Sequence, residues 1–348
     1  MTPSIYMKAA ILKESKKPLI VEEIERVGDL SYGQVFVKIF HSSICGAQIN
    51  EIDAVKGEDK FLPHLLGHEA SGEVIEIGEG VTSVSVGDKV VLHWRPGEGI
   101  QSQTPKYKLG STIINAGWVT TFNESAVVSE NRVTKIDPTF SMKLAPLFGC
   151  AITTAFGVIN NDAKLKIGDS IVIFGLGGVG LNLVQAASMV SANPIIGVDV
   201  NKNKIDMAKN YGLNYGFLAN EKDLYHKIQE VLGGNLPDCV IDTTGIKEVI
   251  ENAYDLTHKD GKTILVGVPK DKVSLYTLPL HFNKILTGSE GGQCKPQIDI
   301  PKYIKLINQE KMTLDGIITH EFDLDDINDA LDLFRSGSAG RILINMNE

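Results

Sequence analysis

Residues 171–181 read "IVIFGLGGVGL", and how this stretch is read decides the fold. Four apolar residues in a row predict a buried strand. Glycines follow at 175, 177 and 180, and then "GVGLNLVQAASMV", whose pattern predicts a helix. A G-x-G-x-x-G turn between a buried strand and a helix is the phosphate-binding turn of a dinucleotide fold. Gly175 permits the tight turn, Gly177 lets a pyrophosphate approach the backbone, and Gly180 lets helix and strand pack closely. Gly178 and Val179 complete the cofactor-binding turn. The first N–H groups of the helix, unpaired within it and at the positive end of its dipole, face the phosphates. Asp199 supplies the acid this pattern needs, at the end of the next apolar run, "PIIGVD" (194–199). Its carboxylate accepts hydrogen bonds from ribose hydroxyls and repels a 2′-phosphate, so the expected cofactor is NAD, not NADP.

Working outward, "DCVIDTTG" (238–245) and "TILVGVP" (263–269) are further buried runs, separated by helical segments at 202–211, 221–232 and 246–257. This alternation predicts a parallel α/β sheet. Before residue 158 the texture is different. "QVFVKIFHSSI" (34–44) alternates, and "ASGEVIEIGEGVTSVSVGDKVVLHW" (70–94) reads as three short strands cut by glycines. Short strands with glycine turns predict a small barrel. The stretch "RPGEGIQSQTPKYKLGSTIINAGW" (95–118) is polar and turn-rich and reads as a long loop or lobe. Near the end, "DINDALDLFRSG" (326–337) predicts an amphipathic helix and "GRILINM" (340–346) a closing strand.

A chain of 348 residues suggests about two domains. With 43% hydrophobic and 22% charged residues, each can bury a core. The net charge is −9 and basic residues form no runs, which argues against nucleic acid or an anionic membrane as partner. No signal-peptide pattern or membrane-spanning run is present, so a cytoplasmic location is expected. Four cysteines stand at 45, 150, 239 and 294 without a CxxC pair, which is no disulfide framework.

Three residues suggest a metal: Cys45, His68 and Cys150. Their wide spacing excludes a local finger and suits a catalytic ion held from three segments with one position open. Two thiolates and an imidazole suit zinc. Taken singly, each cysteine reads more readily as a small buried hydrophobe than as a ligand, and spacing alone gives only a modest signal.

"GHEASGEV" with "VGDKVV", then "GCAITTAFG", "GLGGVG" and "GVDVNKNK", resemble the zinc-dependent alcohol dehydrogenases of the medium-chain dehydrogenase/reductase superfamily. The motifs run in order across nearly the whole chain, to "VGVP" (266–269) and "LDLFRSGSAGRILI" near the end. The resemblance implies a GroES-like β-barrel catalytic domain over 1–151 and 291–348, interrupted by a Rossmann doubly wound parallel-sheet domain over 152–290. It implies a catalytic zinc on Cys45, His68 and Cys150, with Glu69 beside it as a neighbouring or exchanging ligand. Thr154 matches a position packed against the nicotinamide, Val266 and Val268 match contacts to its carboxamide, Lys204 a contact to the adenosine ribose, and Arg341 a contact to the pyrophosphate. The implied reaction is hydride transfer between NAD(H) and a small alcohol or carbonyl substrate, in a homodimer or homotetramer.

Two departures qualify this. Many relatives hold a second, structural zinc on four cysteines in the lobe after "GDKVV", whereas residues 93–118 contain none, so one zinc per chain is expected. The resemblance also calls for a hydroxyl two residues after the first cysteine and a histidine three further on. Ala47 and Asn50 stand there, and neither carries a proton at neutral pH. His64, His93 and Glu69 are the candidate substitutes in acid–base work, directly or through water, and His93 stands beside Trp94 at a position that lines the family's pocket. His64 reads as structural. Polar His93, Trp94, Arg95 and "GSEGGQ" (288–293) favour a polyol, sugar derivative or hydroxy acid as substrate. The alternatives are a zinc-free quinone or enoyl reductase and a non-catalytic NAD-binding relative.

Overall fold

The apolar runs become the centre of a six-stranded parallel sheet. Its strands are β1 (Ile171–Phe174), β2 (Ile195–Asp199), β3 (Tyr215–Leu218), β4 (Cys239–Asp242), β5 (Lys262–Leu265) and β6 (Ile285–Gly288), in the order β3-β2-β1-β4-β5-β6. Every neighbouring pair is parallel. The order reverses between β1 and β4, the switch point outside which such sheets bind ligands. Val172, Phe174, Ile196, Val198 and Val240 pack beneath Ala253 and Leu256 in one apolar cluster. Full burial of each such large side chain is worth about 1.5–3 kcal/mol. Cys239 sits in β4, buried, as core.

This computed structural model describes residues 4–346. It divides into two compact units, one of Met1–Cys150 with Lys295–Glu348 and one of Ala151–Cys294, which holds the parallel sheet. Both ends of the second unit meet within it. A Cβ on Gly157 would lie 2.3 Å from the carbonyl oxygen of Gly292, and one on Gly292 would lie 2.4 Å from that of Thr154. Asn161 donates to the same Gly292 oxygen at 2.8 Å, and Ser289 donates to Asp162 at 2.6 Å.

The other unit contains a closed barrel of strands Tyr6–Leu12, Ile20–Arg26, Lys106–Leu109, Thr112–Asn115 and His64–Leu65. Beside it lies a seven-stranded sheet centred on Gln34–Ser43, which pairs with Ala70–Ile77, Ser125–Ser129 and Arg341–Asn345. The expected GroES-like barrel and Rossmann-type sheet are thus the observed architecture. No helix of the described residues is long and apolar enough to cross a membrane.

Local readings differ in three places. The stretch at 95–118 is not all loop, because Lys106–Leu109 and Thr112–Asn115 form a hairpin that completes the barrel. Only one face of it is apolar: Tyr107 and Ile114 are buried, while Lys106 and Lys108 face outward. Between 70 and 94 there are two strands, Ala70–Ile77 and Lys89–Leu92, not three. The "VTSVSV" segment joins no ladder because carboxylates take its N–H groups: Glu130 accepts from Thr82 and Ser83, and Asp88 from Ser85. Strands β3 and β6, absent from the sequence reading, are edge strands that bury only part of their surface and so lack a continuous apolar run.

Candidate active site

Three separate segments deliver Cys45, His68 and Cys150 to one point. Cys45 has extended backbone and caps the short helix Gly46–Ile52. His68 precedes the strand Ala70–Ile77, and Cys150 ends the turn Ala145–Gly149. That turn comes close only because residue 149 lacks a side chain: a Cβ on Gly149 would lie 2.4 Å from the Leu92 carbonyl oxygen and 2.6 Å from the Glu69 Cβ. One ligand atom from each of the three residues lies within 4.8 Å of the other two. Among the described residues this is the one group of such side chains that could hold a metal.

The donors fit zinc. The sulfurs of Cys45 and Cys150 are 3.9 Å apart, and His68 Nε2 is buried with no hydrogen-bond partner. An orphaned buried nitrogen beside two thiols is costly unless something accepts its lone pair. The two thiols act on each other: the hydrogen bond from Cys150, and then His68, hold Cys45 well below its usual pKa, while that same bond and burial push Cys150 well above its own. A readily ionised thiol is what a metal ligand needs.

Glu69 and Arg341 form a buried ion pair behind this group. Arg341 also donates to Ser43 Oγ at 2.7 Å. Burial pushes the Glu69 carboxyl up to about 7 even though Arg341 opposes it, and its Oε2 has no partner. Both bonds run through Nη2 of Arg341, the residue expected to reach a pyrophosphate, and its Nε is buried without a partner.

His93 is placed differently from its expected role. It is 1% exposed; Nδ1 lies 2.8 Å from the Arg95 carbonyl oxygen and Nε2 2.9 Å from Thr134 Oγ1. Nδ1–H therefore donates to the carbonyl, and Nε2 accepts from the hydroxyl. Burial pushes its pKa down to about 4. No ring nitrogen remains to exchange a proton with substrate, so His93 drops out as the substitute for the missing relay. His64 likewise spends both nitrogens, on Leu65 O and Asp59 Oδ2.

The sequence reading missed Gln48. This amide is 1% exposed; its Oε1 accepts the Cys45 N–H at 2.8 Å and its Nε2 lies against His68 Nδ1. The signal was present as a Gln three residues after a helix-capping residue, the reciprocal capping pattern with Cys45 in place of Ser or Thr.

In the parallel-sheet unit, the turn after β1 has the geometry its glycines suggest. Gly175 has φ +89°, and a Cβ on Gly180 would lie 2.0 Å from the Gly175 carbonyl oxygen. A Cβ on Gly177 would meet nothing within 4 Å, which leaves the backbone open to an approaching group at the start of the helix Gly178–Met189. Asp199, at the end of β2, accepts the Leu176 N–H at 2.7 Å and the Asn201 N–H at 2.8 Å. Each oxygen retains a second acceptor position for a ribose hydroxyl. Thr154 is buried, Lys204 and Val266 are half-buried, and Val268 is exposed.

Comparison with known proteins decides the family. Residues 31–138 match the alcohol dehydrogenase GroES-like domain, and residues 178–309 match the zinc-binding dehydrogenase domain. The chain is 32% identical to alcohol dehydrogenase 1 of Trifolium repens, over 99% of its own length and 98% of that protein. It belongs to the zinc-dependent alcohol dehydrogenase family. This dehydrogenase is also 30% identical to S-(hydroxymethyl)glutathione dehydrogenase of Paracoccus denitrificans, over 97% of its own length and 99% of that protein. Its fold superposes on benzyl alcohol dehydrogenase of Acinetobacter calcoaceticus with a TM-score of 0.88, covering 99% of this chain and 100% of that one. At 23% identity that likeness speaks for the fold alone.

Proposed function

We propose that this dehydrogenase holds one zinc on Cys45, His68 and Cys150, takes NAD on its glycine turn, and interconverts an alcohol and a carbonyl compound. The observation that carries the reading is the convergence of two thiols and an orphaned imidazole nitrogen from three segments. A zinc-free reductase has no use for such a set. When bound, zinc supplies a Lewis acid for the substrate oxygen, and NAD supplies a hydride acceptor.

The chain's own groups bind and orient. Gly177 and the N-terminus of the helix Gly178–Met189 receive the pyrophosphate, and Asp199 with Lys204 holds the adenosine ribose. Thr154, Val266 and Val268 flank the nicotinamide. Arg341 neutralises Glu69 behind the metal ligands, which keeps an uncompensated carboxylate away from the thiolates. Neither Ala47 nor Asn50 can pass a proton, and His93 is engaged on both sides. The alcohol proton is then left to Glu69 through water, or to solvent water. Solvent is reached directly or by relay through a second hydroxyl of the substrate, which gives up its own proton as it takes one. That relay, with half-buried Trp94 and Arg95 nearby in sequence, favours a polyol, sugar derivative or hydroxy acid.

The test is a panel of alcohols and carbonyl compounds assayed in both directions by NADH absorbance, alongside metal analysis. Turnover with about one zinc equivalent is expected, with both lost in Cys45→Ser. Cofactor binding without turnover on any substrate refutes the catalytic reading.

A further inference from the structure

Gln48 touches two of the three prospective metal ligands at once, and they ask opposite things of its amide. The backbone N–H of Cys45 is a donor in every state, so the atom facing it must be the oxygen, as found at 2.8 Å. The amide nitrogen then faces His68 Nδ1 and donates to it. That bond needs a lone pair on Nδ1, so the ring proton of a neutral His68 lies on Nε2. Yet Nε2 is the buried, unpartnered nitrogen, the one left for a metal. A metal there takes the Nε2 lone pair and moves the ring proton to Nδ1, which then needs an acceptor.

Turning the amide over puts its oxygen against Nδ1–H, but sets –NH₂ against the Cys45 N–H, donor to donor. Each orientation satisfies one neighbour at the other's expense. Because the side chain is 1% exposed, bulk water does not reach it freely to repair the loser. A carboxylate, which only accepts, would satisfy both.

We propose that Gln48 is a positioning residue that holds the metal-free site in the Nε2–H tautomer of His68 and, when metal binds, must fail either the Cys45 N–H or the His68 Nδ1–H, so that the centre grips zinc less tightly than its three ligands allow. This rests on the metal reading above. Gln48 thereby tunes metal retention: the ligand set specifies zinc, and the amide sets how readily it is exchanged.

Chelator competition with zinc measures the effect without recourse to activity. Gln48→Glu, nearly isosteric and purely accepting when ionised, should bind zinc about 10–100-fold more tightly than the parent, the usual range for partners that support a metal-bound histidine. A merely structural glutamine would yield equal or weaker binding on replacement, and that result overturns the proposal. The unmodified protein offers a second test, which also decides the matter if the variant does not fold. With ¹⁵N-labelled histidine, His68 should show Nε2–H when metal-free and Nδ1–H when zinc-loaded; Nδ1–H in the metal-free protein overturns the proposal. A parent protein that takes up no zinc, or takes it up equally as Cys45→Ser, overturns the metal reading and this inference with it. Zinc held through Cys45 but no more tightly in Gln48→Glu overturns this inference alone.

Discussion

The Glu69–Arg341 pair allows a prediction in which two deletions of one ion pair have different costs. Glu69 is 0% and Arg341 3% exposed, and each is the other's charge partner. Removing one member of a buried pair typically costs about 3–5 kcal/mol, because the survivor is left charged and unsolvated. Arginine has no escape, since it does not deprotonate in proteins. Glutamate does: its carboxyl, already at about 7, can take up a proton. In metal-free protein at pH 7, Glu69→Met should therefore carry the whole ~3–5 kcal/mol. For a unit of this size that is a melting temperature lower by roughly 6–20 °C. Arg341→Met should cost about half as much at pH 7. Its penalty should grow as pH rises, because the folded state then binds a proton that the unfolded Glu69 has released. The double variant, which removes both charges, should recover most of the stability. Urea and thermal unfolding at pH 6, 7 and 8 would measure all three. Equal losses for the two single variants, or a double variant as unstable as their sum, would refute the reasoning.

His93 links stability to pH in the opposite sense. With its pKa pushed from the ordinary 6.5 to about 4, the unfolded chain binds more protons between those values, so stability falls as pH drops from 6.5 towards 4. The full difference is at most about 3 kcal/mol, and urea titrations at pH 7, 6 and 5 should show a shallower fall in His93→Gln. The same variant should keep the parent's pH–rate curve near neutrality; a limb lost there would restore His93 as an acid–base group. Asp199→Ala should weaken NAD about 10–100-fold in calorimetric titration, from lost charge-assisted hydrogen bonds, and narrow the gap to NADP. Unmodified protein that binds NADP more tightly than NAD would remove Asp199 from that role. Gly292→Ala combines a φ of +64° with a Cβ 2.4 Å from a backbone oxygen, and should destabilise the fold by ~1–3 kcal/mol or more. A melting temperature unchanged from the parent would count against that contact.

The fold was legible where burial is two-sided. "IVIF", "PIIGVD" and "DCVID" each lie inside the sheet, covered on both faces, and their continuous apolar runs announce it. Edge strands announce much less. Tyr215–Leu218 and Ile285–Gly288 are half-covered, and the hairpin at 106–115 shows lysines on its outer face, so all three read as loop or went unremarked. Valines at 81, 84 and 86 misled in the other direction, since alternation is a strand signal only where N–H groups find a ladder. In the site, Cys45, His68 and Cys150 could be named from sequence because residue type suggests a metal and the motifs around them resemble a known family, and the structure brings the three together. What surrounds them could not. The engagement of both His93 nitrogens, the turn of Arg341 towards Glu69, and the amide of Gln48 between two ligands are all set by tertiary placement of polar atoms, which leaves no periodicity to read.

Gly157 and Gly292 touch backbone to backbone, with side-chain hydrogen bonds from Asn161 and Ser289 around them, so the parallel-sheet unit starts and finishes at one spot. In a gene, such a unit is a single uninterrupted block with neighbouring ends. Two crossovers, one before codon 151 and one after codon 294, would exchange the whole sheet without rethreading a strand. An ancestor could trade one parallel-sheet unit for another in one recombination event while Cys45, His68 and Cys150 stayed in place. The two glycines lie inside that block and would travel with it, so the contact that joins its ends needs no match elsewhere in the chain.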